Sequence, residues 1–282
     1  MTTTFVVGVV AALAVSVAAM LTDFGKSVVE DAADAPAIAV TAIVERDQNI
    51  QGETWILPDP LQPLPQDDAL LSNPYGQQSD KDAGNIEPFR AWARTHGGAD
   101  PEVTFLKLIV EGRRRSTIRV INVSAVVMDR KEPLSGTLLA AGPEGGGALT
   151  QIGFNLDEND PVARTVDEDT GEFGKPYFSA TETKTLDRGE QEVFQITAST
   201  HRAFVQWCVE VKLLIDSKIQ THRKCPESGP LRTTAFKWKA GVAIKDRTGH
   251  DIDTGAYQSL YTWAFDQYPN RFVRKDPQQF HW

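Results

Sequence analysis

Apolar residues are spread unevenly along the chain. Residues 5–21 read FVVGVVAALAVSVAAML, seventeen positions without a charge. As a helix rising about 1.5 Å per residue this run spans roughly 25 Å, and the flanking threonines bring it near the thickness of a bilayer core. It predicts an N-terminal transmembrane helix with a juxtamembrane extension over 1–35, ended by Pro36. A cleaved signal peptide would want a basic leader and a shorter apolar run, and no Lys or Arg precedes Lys26. The retained anchor is therefore favoured over a cleaved signal or a buried soluble helix.

Residues 37–46 (AIAVTAIVER) alternate as a strand does. Residues 52–86 follow, with Pro58, Pro60, Pro63, Pro65 and Pro74 among polar residues. That composition predicts a Pro-rich linker completing a 36–86 segment. A short helix fits 87–96, with Pro88 in its first turn and Gly97-Gly98 as its stop. From residue 101 the pattern becomes β, with runs at 102–111, 116–129, 136–141, 149–156, 161–166, 177–186, 192–200, 203–215, 218–224, 233–239 and 242–245. Many short strands between Gly- and Pro-bearing turns predict a mainly β chain, with an immunoglobulin-like β-sandwich over 87–250. Residues 251–282 form an aromatic-rich tail. Tyr257, Tyr261 and Phe265, spaced by four, suit one side of a short helix, with Trp263 beside them.

The row Val205, Trp207, Val209, Val211, Leu213 and Ile215 is a long apolar face for one strand, and Cys208 lies on the opposite face. A two-residue turn at Asp216-Ser217 makes Ile215 oppose Lys218. Counting back along both strands then sets Cys208 directly opposite Cys225, at a non-hydrogen-bonded position where side chains come closest. It also sets Glu210 opposite Arg223, a favourable cross-strand pair. A Cys208–Cys225 disulfide follows, on an edge strand whose inward positions are Gln220, His222 and Lys224. A disulfide places the β-domain outside the cytoplasm. Lys26, on the C-terminal side of the apolar run, points weakly the other way.

Composition narrows the function less than the place. The 282 residues carry 29 basic against 38 acidic side chains, a net charge of -9, so no general nucleic-acid footprint is expected. Two cysteines are too few for a disulfide scaffold or a cysteine-built zinc site. The five histidines are scattered, without a helical H-E-x-x-H pair, and G-x-S-x-G is absent. Asp157-Glu158-Asn159-Asp160 and Asp167-Glu168-Asp169 are acidic; the second opens like a calcium loop but lacks the distal glutamate. Solvated turn acids are the favoured reading. No catalytic, cofactor-binding or metal residue is assigned. The aromatic tail packs over the sandwich or, in the alternative, presents Tyr257, Tyr261, Trp263 and Phe265 to a partner.

The stretches VEGRRRSTIRVINVSAVV (110–127), GGGALTQIGFNLDENDPVAR (145–164), LDRGEQEVFQI (186–196) and GPLRTTAF (229–236) resemble a group of actinobacterial single-pass membrane proteins with a β-rich C-terminal domain. The resemblance implies that layout and no activity. The expectation is a single-pass plasma-membrane protein with residues 5–21 in the bilayer. Its extracytoplasmic β-sandwich acts as a binding or interaction module for a protein or polysaccharide of the envelope. The alternatives are an envelope hydrolase using carboxylates such as the 157–169 acids, and a cytoplasm-facing domain regulating a membrane partner.

Overall fold

A computed structural model describes residues 37–46, 52–62, 65–76, 85–113, 116–142, 151–167, 170–264 and 271–280. The apolar run 5–21 lies outside them, and among the described residues no helix is long and apolar enough to cross a membrane. The chain is mainly β.

Two sheets face each other across one core. The first runs in the order β1 (Ile38–Glu45), β4 (Val103–Gly112), β11 (Gln191–Ser199), β7 (Ile152–Asn155), β8 (Arg164–Val166), β9 (Phe173–Pro176). The second runs β10 (Lys184–Leu186), β5 (Ile118–Lys131), β12 (Phe204–Ile215), β14 (Leu231–Thr234), β3 (Asp100–Pro101), and β13 (Lys218–Lys224) pairs with the outer half of β12. Period-2 alternation sets which side chains enter. Leu106, Leu108 and Val110 of β4 and Phe194, Ile196 and Ala198 of β11 meet the β12 row from Val205 to Ile215. Trp207 is fully buried, edge-on to Phe154 with ring centres 6.0 Å apart.

β5 departs from simple alternation. It buries Ile118 and Val120, then Val123 and Ala125. Its pairing with β12 shifts between Lys212 and Leu213 and again between Gln206 and Trp207, leaving Ile121 and Met128 without partners in the ladder. The bulge at Ile121 adds one residue and flips the inward parity, so Ile118 and Val120 before it and Val123 and Ala125 after it all face the core. The pairs β11–β7 and β14–β3 are parallel. This departs from the antiparallel pairing expected of an immunoglobulin-like layout.

A third sheet, in the order β16 (Arg271–Lys275), β15 (Ser259–Ala264), β6 (Thr137–Ala140), β2 (Trp55–Leu57), changes the expected organisation. Trp55, Leu57, Leu139, Tyr261 and Phe272 pack on one side with two helices, α1 (Pro65–Ser72) and α2 (Glu87–Thr95). Ile56, Leu138, Ala140 and Leu260 pack on the other against Ile252 and Tyr257. A sheet covered on both faces reads as short unbroken apolar runs, as WIL and TLLA do. The stretch read as a Pro-rich linker thus supplies a strand, a helix and core residues. The tail read as a helix supplies strands; of its spaced aromatics Tyr261 lies in β15, whereas Tyr257 precedes it and packs on the opposite side of the sheet. The expected strand at 242–245 is replaced by a short 3-10 turn at Ile244–Asp246. Of the expected strand at 177–186 only Lys184–Leu186 forms. The helix at 87–96 forms as α2; Phe89, Trp92 and Ala93 face the core, and Gly97 ends it at φ +77°.

Candidate functional site

The Cys208–Cys225 disulfide is present, with a Cα–Cα separation of 4.8 Å. The β12–β13 register opposes Ile215 to Lys218 and Glu210 to Arg223, as the sequence requires. Asp216 and Ser217 both have positive φ, at 48° and 62°, which is the mirror-image two-residue turn that matches strand twist. The Met128 thioether lies 3.5 Å from Cys208 Sγ, over the second bulge.

The four aromatic residues read as a partner surface have separate fates. Tyr257 is a core residue whose hydroxyl accepts from Lys237 N at 3.0 Å, and burial raises its pKa. Tyr261 is buried between α1 and β16, and burial raises its pKa too. Trp263 is half-buried, edge-on to Tyr75 and Phe272. Phe265 lies outside the described residues. Neither tyrosine presents a free face; each fills space beside the third sheet.

Asp157, Glu158 and Asp160 lie on one turn and Asp167 on another, while Glu168 and Asp169 lie outside the described residues. Asp157 accepts from Thr200 Oγ1 at 2.6 Å and from His201 N at 2.9 Å. Glu158 pairs with Arg164 at 3.2 Å. Asp167 accepts from Thr170 N and Oγ1 at 2.8 and 2.9 Å, closing its own turn. Among the described residues no three His, Cys, Asp or Glu side chains are placed to hold a metal ion.

Two polar clusters that were not legible in the sequence flank one turn of backbone. Glu102 sits at φ +58°, a left-handed conformation rare for a residue with a side chain, between β3 and β4. Its carboxylate accepts from Trp238 Nε1 at 2.9 Å. It also lies 3.5 Å from His201 Nδ1 and 3.8 Å from Arg247 Nη1. The Arg247 guanidinium stacks on Trp238 at 4.8 Å. The Glu102 carboxylate raises the pKa of His201. Burial opposes it, Asp157 adds to it and Arg247 opposes it. A histidine with a raised folded pKa contributes stability that is full below its unfolded value, about 6.5, and fades as pH rises through the folded value. Thermal melts of the native chain and His201→Gln should therefore differ most in mildly acid solution and converge as pH climbs past that value. A gap that widens with pH would contradict the pairing.

On the other side, Asp100 accepts from Arg46 Nη2 at 2.6 Å and from Thr104 Oγ1 at 2.8 Å. Trp207 Nε1 donates to Thr233 Oγ1 at 3.0 Å, and the Thr104 and Thr233 hydroxyls are 2.7 Å apart. Thr104 has one proton and donates it to Asp100, so Thr233 must donate to Thr104. The donors run in one direction, from the indole to the carboxylate. Arg46 also donates to Thr54 O and stacks 3.8 Å from the Trp55 ring centre. Arg90 clamps Glu53, with Nε at 3.0 and 3.2 Å from its two oxygens, and donates to Arg46 O. This network joins β1, β2, α2 and β3, tying the sandwich to the third sheet.

A groove lies elsewhere, where β9 of the first sheet hands over to β10 of the second. It has a volume of about 500 Å³, with Tyr177 in its wall beside Thr165, Thr181, Thr183, Glu182 and Lys184. Tyr177 is braced edge-on by Phe178 and Phe194, with ring centres 5.1 and 6.4 Å away. Lys184 pairs with Glu192 at 3.3 Å, which together with the nearby Tyr177 raises the lysine pKa against the cost of burial.

No protein-family model matches the chain, and no curated protein matches it in sequence.

Proposed function

We propose that the protein is a membrane-anchored, extracytoplasmic β-sandwich that binds a partner at the cell envelope. The Cys208–Cys225 disulfide carries this reading. Such bonds persist in oxidising compartments and are rare where thiols are kept reduced. Residues 5–21 are long enough to hold the chain in the bilayer. The acids on separate turns favour a binding module over a carboxylate hydrolase, which needs two carboxyl groups facing one substrate bond.

The groove at Tyr177 supports binding. Its volume lies within the range of ligand pockets. A braced aromatic ring among threonine hydroxyls and opposite charges suits a hydroxyl-rich partner such as an envelope polysaccharide.

Alkylation of intact cells tests the location. With a membrane-impermeant maleimide, the two cysteines should label only after a reductant is added. If they label without reductant, and only after lysis, the domain faces the cytoplasm and regulates a membrane partner instead.

A further inference from the structure

Arg46, Arg90, Arg94 and Arg232 gather where α2, β2, β3 and β14 meet, against the carboxylates of Glu53, Glu87 and Asp100. Arg46 takes Asp100, Arg90 takes Glu53, and Arg94 lies 3.8 Å from the exposed Glu87. Pairing the charges off leaves Arg232. Its Nη1 donates to Arg94 O at 2.9 Å, at the end of α2. No carboxylate lies within 4 Å of it among the described residues. This surplus cation stands on a chain whose net charge is -9.

Arg94 and Arg232 line a small cleft with Trp55, Asp100 and Ser228. Trp55 is 3% exposed, and its Nε1 is buried with no hydrogen-bond partner. An indole N–H only donates, and leaving it buried and without an acceptor is unfavourable. The cleft therefore sets guanidinium donors beside an indole N–H that still needs an acceptor. Asp100 does not fill that role, because Arg46 and Thr104 already occupy its two oxygens. The cleft is small, about 30 Å³ against about 500 Å³ at the Tyr177 groove, so it admits the end group of a ligand and not a whole sugar ring.

We propose that this cleft binds one oxyanion group, a carboxylate or a phosphate, through the Trp55 N–H and the guanidinium groups of Arg232 and Arg94. The rest of the ligand projects past Ser228 into solvent. Guanidinium forks recognise both groups through charge-assisted hydrogen bonds. The site is separate from the groove at Tyr177 and does not depend on where in the cell the domain lies.

The test uses the full chain in neutral detergent with its six tryptophans labelled at the indole nitrogen. The Trp55 resonance is identified by its loss in Trp55→Phe. Sodium phosphate, sodium glucuronate and sodium chloride are titrated at matched ionic strength. Phosphate or glucuronate should shift Trp55 saturably, at about millimolar concentration, while chloride should not. A response to phosphate alone assigns a phosphoryl ligand, and one to glucuronate alone a carboxylated one. Arg232→Gln should weaken the response about tenfold or more, and Arg232→Lys less, since it keeps the charge without the fork. The other five resonances show whether each variant is folded; should Arg232→Gln fail, Arg94→Gln serves in its place. A Trp55 resonance unmoved by both anions, moved equally by chloride, or moved equally in the folded glutamine variant overturns the proposal.

Discussion

Replacing Asp100 with alanine is expected to cost about 3–5 kcal/mol of folding free energy. The carboxylate is buried and accepts from Arg46 and Thr104. Its removal leaves the Arg46 guanidinium, on a side chain only 2% exposed, without its shortest counter-ion contact; Glu53 stands 3.7 Å away and is already clamped by Arg90. It also removes the acceptor at the end of the chain from Trp207 through Thr233 and Thr104, so an oriented hydroxyl loses its partner inside the protein. A buried pair differs from its halves in this respect. Taking both charges away and filling the space with apolar groups is often close to neutral, whereas taking one strands the other. Arg46→Met/Asp100→Leu should therefore be more stable than Asp100→Ala alone, despite losing the bonds from Arg46 to Thr54 O and its stacking on Trp55. Denaturant midpoints of the three chains decide the matter. A double variant less stable than the single would mean that Arg46 holds the seam chiefly through Thr54 and Trp55.

What the sequence made legible follows from how far its signals reach. The strands 102–111, 192–200 and 203–215 are half-buried on a regular pleat, so their period of two is visible and close to the observed β4, β11 and β12. The disulfide was legible because a two-residue turn fixes every opposed pair in a hairpin. The third sheet was not, for two reasons. Its strands come from residues 55–57, 137–140, 259–264 and 271–275, so none is completed by a neighbour in sequence, apart from the β15–β16 pair. Both its faces are covered, which erases alternation. Tyr257, Tyr261 and Phe265 then fitted a helical spacing, although Tyr257 and Tyr261 pack on opposite sides of the sheet.

The polar clusters at Glu102 and Asp100 were hidden for another reason. Each draws its members from distant strands and turns. The conformation that sets them apart, positive φ at a glutamate, has no signature in residue type. Arg232 stands just before the strand expected at 233–239, in a stretch without any site motif. Its role as the unmatched cation appears only once the other arginines have found their carboxylates.

Removing the disulfide, as Cys208→Ala/Cys225→Ala, should lower global stability by about 3 kcal/mol, the chain-entropy value for closing a loop of this separation. The loss will not be felt evenly. β12 buries its row from Val205 to Ile215 in the main core whether or not β13 is attached. β13 adds little apolar burial of its own: its inward positions Gln220, His222 and Lys224 are polar and only half-buried, and Ile219 is 67% exposed. A strand with so little to bury is held by its ladder, its tight turn and the bond at its far end. Amide exchange should therefore rise most over Lys218–Lys224 in the variant, while protection in β12 and β4 falls only as far as global stability does. Reduction of the native chain should give the same pattern. A variant that loses less than about 1 kcal/mol, with β13 still protected, would show that the staple is not what fixes this edge. With the bond intact, the open edge carries Lys218, Arg223 and Lys224, charges that discourage another strand from adding to it. In a reducing compartment the chain would keep the sandwich and lose this closed, charged edge, so the proposed placement outside the cytoplasm and the stability of β13 rest on the same pair of sulfurs.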